Sequence, residues 1–594
     1  MLGPYKAPGP SGIPNIAIQK ACPFILKPLT AICNASLCLS HFLDQWKIFT
    51  TITLRKPGKD DYSRVKSYRP IALEETLGKV MEAVVARKVS TLAEQNDLLP
   101  ANHFGGQPNR STTDALLYLV QCIKDAWRRG NVVSVLLLDI SQAFPTVSHE
   151  RLLHNLKKRQ IPDTLVRWIA NFLDGQTTTL CFDDYKTAPL AASYGIPQGS
   201  PLSLILYLFY SADLINLVSP KDRRRASAGW VDDTLLAAEA RTVEETVQML
   251  TDLVPAACEW RRTHACRFDV LKFNLLHFTR IASRYFPIPL VFDGTTIHPT
   301  DTAKYLGLIL DRKLRWKPQV AAAVAKGTKA PLGISRPARP TFGLPQKYVR
   351  RLTIGVAFPC MEYGLPVFYE PIRQSSTAPC LRGAIGAMRK FATVQRMASR
   401  IITGTFRTTA TDILDYHAGL APTRLRLNRA VHNALVCLTT LPETHPLYPI
   451  VQRCHRYPRY HRSPVHEMLN AFPQSMPTET ITPRTCGTHP PVLFLHRRHP
   501  RSCPCRGEQT PSGVPMRLLG WFRAPEHSGC RCSCATTATE CTCCCRVTMP
   551  LFRLFGHPHG SRRGGPWGDP GTQHHPKRKP HDQSDYTPGQ PSGN

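Results

Sequence analysis

The stretch Gly229-Trp230-Val231-Asp232-Asp233-Thr234-Leu235-Leu236 sets two adjacent acids between apolar residues, with no glycine separating the acids from their neighbours. One reading is a β-hairpin turn, since Asp tolerates turn conformations. The other places two carboxylates at a buried strand end, where they are costly unless cations pair with them. A second acid is set the same way. Val132 to Leu138 is a continuous apolar run that reads as a buried strand, and it ends in Asp139. Two-metal phosphoryl transfer needs carboxylates from separate strands holding ions about 4 Å apart. One ion lowers the pKa of the attacking hydroxyl and the other stabilises the leaving pyrophosphate. Asp139 on one strand, beside a hairpin bearing Asp232 and Asp233, meets that need. Their separation in sequence is no obstacle within a sheet.

A third feature lies between them. In Tyr194-Gly195-Ile196-Pro197-Gln198-Gly199-Ser200-Pro201-Leu202, Gly and Pro make a rigid loop, Ser200 can cap a helix, and Pro201 suits its first position. An apolar helix follows through Leu208. The segment reads as an ordinary loop–helix junction or as a backbone shelf for a nucleotide, with Gln198 reaching the sugar or base.

Periodicity supplies the surroundings. Val80, Met81, Val84, Val85, Val89 and Leu92 mark one helical face. Ser111 to Asp114 opens another helix, with Leu116, Leu119, Val120 and Ile123 inward. Ser148 caps a helix carrying Leu152, Leu153 and Leu156. Asp163 to Asp174 forms a further helix, stopped by Gly175. Leu276 to Phe278 and Tyr305 to Leu310 read as strands. From about 317 to 470 the pattern is mainly helical and basic, and no internal repeat is visible.

Charge narrows the function. Among 594 residues, 75 Lys and Arg face 42 Asp and Glu, a net +33. So large a charge points to a polyanionic partner, most simply nucleic acid, with a ribosome- or membrane-surface protein as the alternative. No apolar run reaches the ~18 residues of a membrane span, and the first residues lack a signal-peptide pattern. The expected location is intracellular, in the nucleus and/or the cytoplasm, with reduced thiols.

Composition breaks near residue 481. The last 114 residues hold 10 of the 21 cysteines and 16 prolines, with little apolar periodicity. They carry 15 basic and 6 acidic residues, so most of the positive charge sits before them. Their cysteines pair as C-x-C without the spacing of a zinc module. A disordered or off-frame tail is the expectation.

The three features, in this order, resemble the palm motifs of reverse transcriptases: Asp139 with Phe144, the Gly-x-Pro-Gln-Gly-Ser-Pro loop and the Val-Asp-Asp hairpin. The wider context resembles the polymerases of non-LTR (LINE-like) retrotransposons, of fungal type and truncated at both ends. The blocks that carry it are Ala7 to Asn15, Lys56-Pro57-Gly58-Lys59, Ser67-Tyr68-Arg69-Pro70-Ile71-Ala72-Leu73, Arg110 to Ala115, Phe268-Asp269-Val270-Leu271-Lys272 and Tyr305-Leu306-Gly307. Residues 5–320 share the likeness closely and 320–480 loosely.

That resemblance implies an α+β, right-hand polymerase: fingers and an N-terminal segment over 1–130, a palm over 131–315, and a helical thumb and connection over 316–480. The reverse transcriptase domain overall would span about 35–315, and 481–594 would be a Pro/Cys-rich tail. It implies RNA-directed DNA synthesis by two-metal nucleotidyl transfer, with two Mg²⁺ ions (or Mn²⁺), an RNA template, a DNA primer and deoxynucleoside triphosphates. Asp139, Asp232 and Asp233 would be catalytic metal ligands. Phe144 would be a steric gate against the ribose 2′-hydroxyl. Gln198 and Gly199 would contact the incoming nucleotide, and Arg69 and Lys56 would hold its triphosphate through charge-assisted hydrogen bonds. Lys272 would sit near the leaving pyrophosphate as a proton donor. Tyr305 to Leu308 would form the hairpin that grips the primer.

The sequence departs from the family in places. Pro145 stands where many relatives have an acid, Trp230 replaces Tyr or Phe, and Leu204 replaces Pro. Gly105-Gly106-Gln107-Pro108-Asn109 differs from the usual Gly-Phe-Arg-Pro-Gly. Two other readings compete: an inactive remnant that only binds nucleic acid, and a host polymerase of telomerase or intron-maturase type. The blocks at Lys56–Leu73 and Arg110–Ala115 favour the LINE-like reading over the host polymerase. No membrane partner is expected, and an endonuclease is expected to lie outside this chain.

Overall fold

The structure is a computed structural model that describes residues 3–338, 343–374, 379–454, 456 and 458–475. The expectation for residues 481–594 lies outside the described residues. Nine strands carry the argument: β1 (Ile48–Arg55), β2 (Tyr68–Leu73), β3 (Val132–Leu138), β4 (Thr177–Phe182), β5 (Arg225–Trp230), β6 (Asp233–Ala240), β7 (Asn274–Phe278), β8 (Thr302–Tyr305) and β9 (Leu308–Asp311). The helices that frame them are α1 (Asn15–Leu39), α2 (Thr76–Gln95), α3 (Thr112–Arg128), α4 (His149–Lys158), α5 (Asp163–Leu173), α6 (Ser203–Ile215), α7 (Val243–Thr251), α8 (Val254–Thr263) and α9 (Lys317–Ser335).

The central sheet runs β7-β3-β6-β5, antiparallel throughout. All seven residues of β3 are buried because both faces are covered. Val133, Val135 and Leu137 enter one core with the apolar side of α3, while Val132, Leu136 and Leu138 enter a second core with α6. This explains an unbroken apolar strand in an antiparallel sheet, where one face is often wet. A capping box between Ser111 and Asp114 starts α3. Its Leu116, Leu119, Val120 and Ile123 are fully buried, each contributing about 1.5–3 kcal/mol relative to exposure. Ser148 accepts a hydrogen bond from the Arg151 amide and starts α4.

The second sheet joins β2, β1 and β4, with β1 and β4 parallel. The sheets therefore do not divide at the expected boundary near residue 130. Strand β4 follows α5 and returns to pair with a strand more than 120 residues earlier.

Several local expectations need correction. Val84 is exposed, and the inner side of α2 is Met81, Val85 and Val89 together with a carboxyl, Glu82. Helix α6 begins at Ser203 with Leu202 before it, so Pro201 lies before its first turn, yet the Ser200 hydroxyl still accepts from the Leu202 and Ser203 amides. The run Tyr305–Leu310 is not one strand but the turn of a hairpin, β8 against β9. Finally, α1 is long and apolar enough, by length and composition, to cross a membrane, and little of it is buried. Lys20, Pro23, Lys27 and Pro28 interrupt its apolar run in sequence, which is why a run-based reading passes over it.

After β9 the chain is mainly helical. Helices α9, Ile385–Thr403 and Thr423–Thr439 build a core that is continuous with one side of the central sheet through Leu308, Leu310, Phe358 and Met361.

Candidate active site

The register of the central sheet sets the site. The β3–β6 ladder ends at Leu138 against Thr234. The next residues on each strand, Asp139 and Asp233, leave the sheet at the same end. Asp232 occupies the β5–β6 turn beside Val231, which is held at φ +60°. A β-branched residue in that region is strained, and the turn is pinned from outside. The Phe104 amide donates to the Gly229 carbonyl at 2.8 Å, and Gly229 donates to the Asn102 carbonyl at 3.1 Å. Gly105 lies so close that a Cβ there would stand 2.6 Å from the Val231 nitrogen. Gly105, where the sequence keeps the usual glycine, is thus what lets this loop brace the turn.

The acids are less buried than the sequence implies. Asp139 and Asp233 are half-buried and Asp232 is exposed, so the pair stands at the rim of the sheet rather than inside it. Burial, then Asp232 and Asp139, push the Asp233 carboxyl up to about 6. Burial and Asp139 also raise Asp232, against the opposing pull of its own amide, Arg69 and Lys272. Asp232 is open to solvent, which screens such crowding.

Cations face these acids. The Lys272 ammonium donates to Asp139 Oδ2 at 2.8 Å and lies 2.7 Å from Asp269 Oδ2. Burial opposes its charge, but these two hydrogen bonds hold its pKa above the ordinary lysine value. Lys56 is pushed down by burial and by the like charges of Arg69, Lys272 and Lys59. Its ammonium donates to the Lys66 carbonyl at 2.8 Å. The site therefore holds a crowd of anions against a crowd of cations.

A cavity of about 260 Å³ opens on this cluster, lined by Asp139, Asp233, Thr234, Lys272, Lys304 and Tyr305 among others. Among the described residues, the buried Thr234 hydroxyl and Tyr305 phenol have no hydrogen-bond partner. At the β8–β9 turn, the Tyr363 hydroxyl lies 2.9 Å from the Leu306 carbonyl and 3.0 Å from Thr112 Oγ1.

The glycine-rich loop is fastened on two sides. Ile196 donates to the Phe144 carbonyl and Gly195 to the Val147 carbonyl, both at 2.9 Å. On the other side Ala72 of β2 donates to the Gln198 carbonyl at 2.9 Å. Gly199 has φ +145°, and a Cβ there would sit 2.5 Å from the Ala72 oxygen, so only glycine fits. Phe144 stacks on Tyr207 with ring centroids 5.1 Å apart. The buried Tyr207 phenol is close enough to Asp232 for that charge to raise its pKa further above the burial effect.

The structure thus gathers Asp139, Asp232, Asp233 and Lys272 directly, with Arg69 and Lys56 in electrostatic reach. Gln198, Gly199 and Phe144 line up along the adjoining loop, and none makes a hydrogen bond through its side chain to the three acids among the described residues. Hard carboxylate oxygens that repel one another suit a divalent cation. Among the described residues, however, no three such ligands converge closely enough to hold one ion alone. The donors fit an ion that also takes oxygens from substrate or water, as Mg²⁺ commonly does. Sequence reasoning passed over Asp269. The signal was its i,i+3 spacing to Lys272 across the one-turn helix Val270–Lys272.

An antiparallel sheet with acids at one strand end and on an adjoining hairpin turn is an arrangement suited to holding divalent ions against a phosphate. The comparisons make the class specific. Residues 54–310 match the family model described as reverse transcriptase (RNA-dependent DNA polymerase), so this stretch is a reverse transcriptase domain. The chain is 28% identical over 315 residues to the probable RNA-directed DNA polymerase from transposon X-element of Drosophila melanogaster, covering 53% of this chain and 34% of that protein. It is 28% identical over 369 residues to the RNA-directed DNA polymerase from mobile element jockey of the same fly, covering 61% and 40%. Both relatives belong to non-LTR retrotransposons, and the chain spans little more than a third of their length. A solved telomerase from Candida tropicalis, in complex with a fragment of telomeric RNA, covers 75% of this chain and 68% of its own at 10% identity and a TM-score of 0.36. So loose a superposition adds nothing to the topology above.

Proposed function

We propose that this chain is an RNA-directed DNA polymerase of a retrotransposon, copying an RNA template onto a DNA primer from deoxynucleoside triphosphates. The observation that carries the reading is the meeting of Asp139, Asp232 and Asp233 at one end of the central sheet, opposite Lys272, Arg69 and Lys56. Two divalent ions, Mg²⁺ or Mn²⁺, would supply activation of the primer hydroxyl and neutralisation of the leaving pyrophosphate. Asp139, Asp232 and Asp233 are the residues that would hold them. Arg69 and Lys56 present fixed positive charge to the triphosphate, so its binding relieves the like-charge crowding of Lys56. Lys272, hydrogen-bonded to Asp139, would pass its proton to a departing phosphate oxygen. Gln198 and Gly199 offer backbone and amide surface to the nucleotide. Phe144, fixed against Tyr207, limits room at the sugar.

The test is primer extension by the purified chain on an RNA template, with Mg²⁺ and deoxynucleotides, beside an Asp232→Ala control. Extension by the native chain and not by the control is the expected result. Salt-sensitive template binding without extension would overturn the reading in favour of a remnant that binds nucleic acid only.

A further inference from the structure

Beneath the Gln198 loop lies an acid that the proposed chemistry does not use. Glu82 points from α2 into the core, with 1% of its surface exposed. Its helical neighbours on that side are Met81, Val85 and Val89, so an apolar residue would pack there at no electrostatic cost. Instead Glu82 accepts a hydrogen bond from the Ser200 hydroxyl. That hydroxyl in turn accepts from the amides of Leu202 at 3.0 Å and Ser203 at 3.2 Å. One oxygen therefore joins α2 to the first turn of α6, and the three bonds fix the Ser200 rotamer. The loop ahead of it is held from the opposite side by Ala72 of β2 on the Gln198 carbonyl. Below the loop Ser200 and Glu82 are buried, whereas above it Gly199 is exposed and Gln198 half-buried.

We propose that Glu82 is a positioning residue for the incoming nucleotide, acting through Ser200 to hold the Gln198–Gly199 backbone at the height the nucleotide requires. The proposal rests on the polymerase reading above. Burying a carboxyl is tolerated only where it makes a bond that matters, and here a second acid makes the position still less favourable. Glu74, just after β2, is buried beside it, and one of its carboxyl oxygens has no hydrogen-bond partner among the described residues. The charged groups facing Glu82 are Glu74 and, on its own helix, Lys79; Ser200 faces it from the loop. Burial pushes the Glu82 carboxyl up to about 8, so it is mostly protonated at neutral pH and a neutral amide can stand in for it.

The experiment compares the native chain with Glu82→Gln, Glu82→Ala and Ser200→Ala. It reads KM for the deoxynucleotide and kcat in primer extension, and hydrogen exchange of the segment 196–206. In Glu82→Ala and Ser200→Ala, KM is expected to rise about tenfold with kcat within about twofold, the mark of lost ground-state positioning. Exchange of 196–206 should quicken while that of 132–138 stays unchanged. Glu82→Gln should restore both readouts to near the native values. An unchanged KM in Glu82→Ala overturns the proposal, as does a loss of kcat equal to the loss of kcat/KM. If Glu82→Ala does not fold, Ser200→Ala and Glu82→Gln decide on the same readouts. If the native chain does not extend a primer at all, the polymerase reading fails. Exchange alone then judges the positioning role: quickening confined to 196–206 upholds it, and unchanged exchange overturns it.

Discussion

Two clusters of acids flank the glycine-rich loop, and they handle the same electrostatic difficulty in opposite ways. Asp139, Asp232 and Asp233 gather at an open sheet end, within reach of Lys272, Arg69 and Lys56. Glu74 and Glu82 are enclosed, with Lys79 the charge of opposite sign in reach and one hydroxyl as hydrogen-bond donor. In the open cluster, cations and solvent offset the repulsion, so carboxylates stay available as ligands. In the closed one a retained proton removes the repulsion, so the acid can serve only as a hydrogen-bonding post. The role of an acid here follows from which side of it is open, not from its being Asp or Glu.

The largest effect that could break this comparison is at the open end. Asp232→Asn should lower primer extension on the order of 10³-fold or more, as removal of a preorganised charge at a reacting centre does. The same change removes one of three mutually repelling carboxylates, so the melting temperature should hold or rise. A variant that loses activity together with several degrees of stability would show that Asp232 is a structural acid, and the contrast with Glu82 would collapse.

The closed cluster offers a middle-sized test. Glu82 titrates near 8 when folded and near 4.5 when unfolded. Between those values the folded chain keeps a proton that the unfolded chain has released. Stability from this group is therefore present at low pH and falls as pH rises through the window, levelling off above about 8. The melting temperature of the native chain should decline from pH 5 to pH 8, and Glu82→Gln should flatten that decline. Parallel curves for the two proteins would place the proton elsewhere.

The open cluster was legible in the sequence because an apolar strand ended in Asp139 and an acid pair stood directly between apolar neighbours. The pattern at Val132–Asp139 and Trp230–Leu236 needs no distant partner to be noticed. The α3 and α4 caps were legible for the same local reason. What could not be read depends on contacts across the chain. Glu82 looks like a polar position on a helix, and only Ser200, 118 residues on, shows that it faces inward. Asp269 was read past because its meaning comes from Lys272 already lying on Asp139. Strand β4, Thr177-Thr178-Thr179-Leu180-Cys181-Phe182, lacks an apolar alternation, and its place beside β1 follows from the sheet edge rather than from its own residues. The exposure of Asp232 was also invisible, since apolar neighbours in sequence do not say which side of a turn faces water.

The smallest effect sharpens what an open acid is for. Lys272 is shared between Asp139 and Asp269, and its side chain is more than half exposed, so either ion pair by itself contributes about 0–1 kcal/mol. Asp269→Asn should leave stability nearly unchanged. It should also leave Lys272 with Asp139 as its remaining carboxylate partner of the two, which tightens that pair. A divalent ion must compete with the ammonium for the same Asp139 oxygen. The Mg²⁺ concentration for half-maximal extension should therefore rise about twofold to threefold, with the rate at saturating Mg²⁺ little altered. A Mg²⁺ titration of the two proteins checks this. An unshifted midpoint would mean that Lys272 does not contend with the ion, and that the cations at this end serve the phosphates alone.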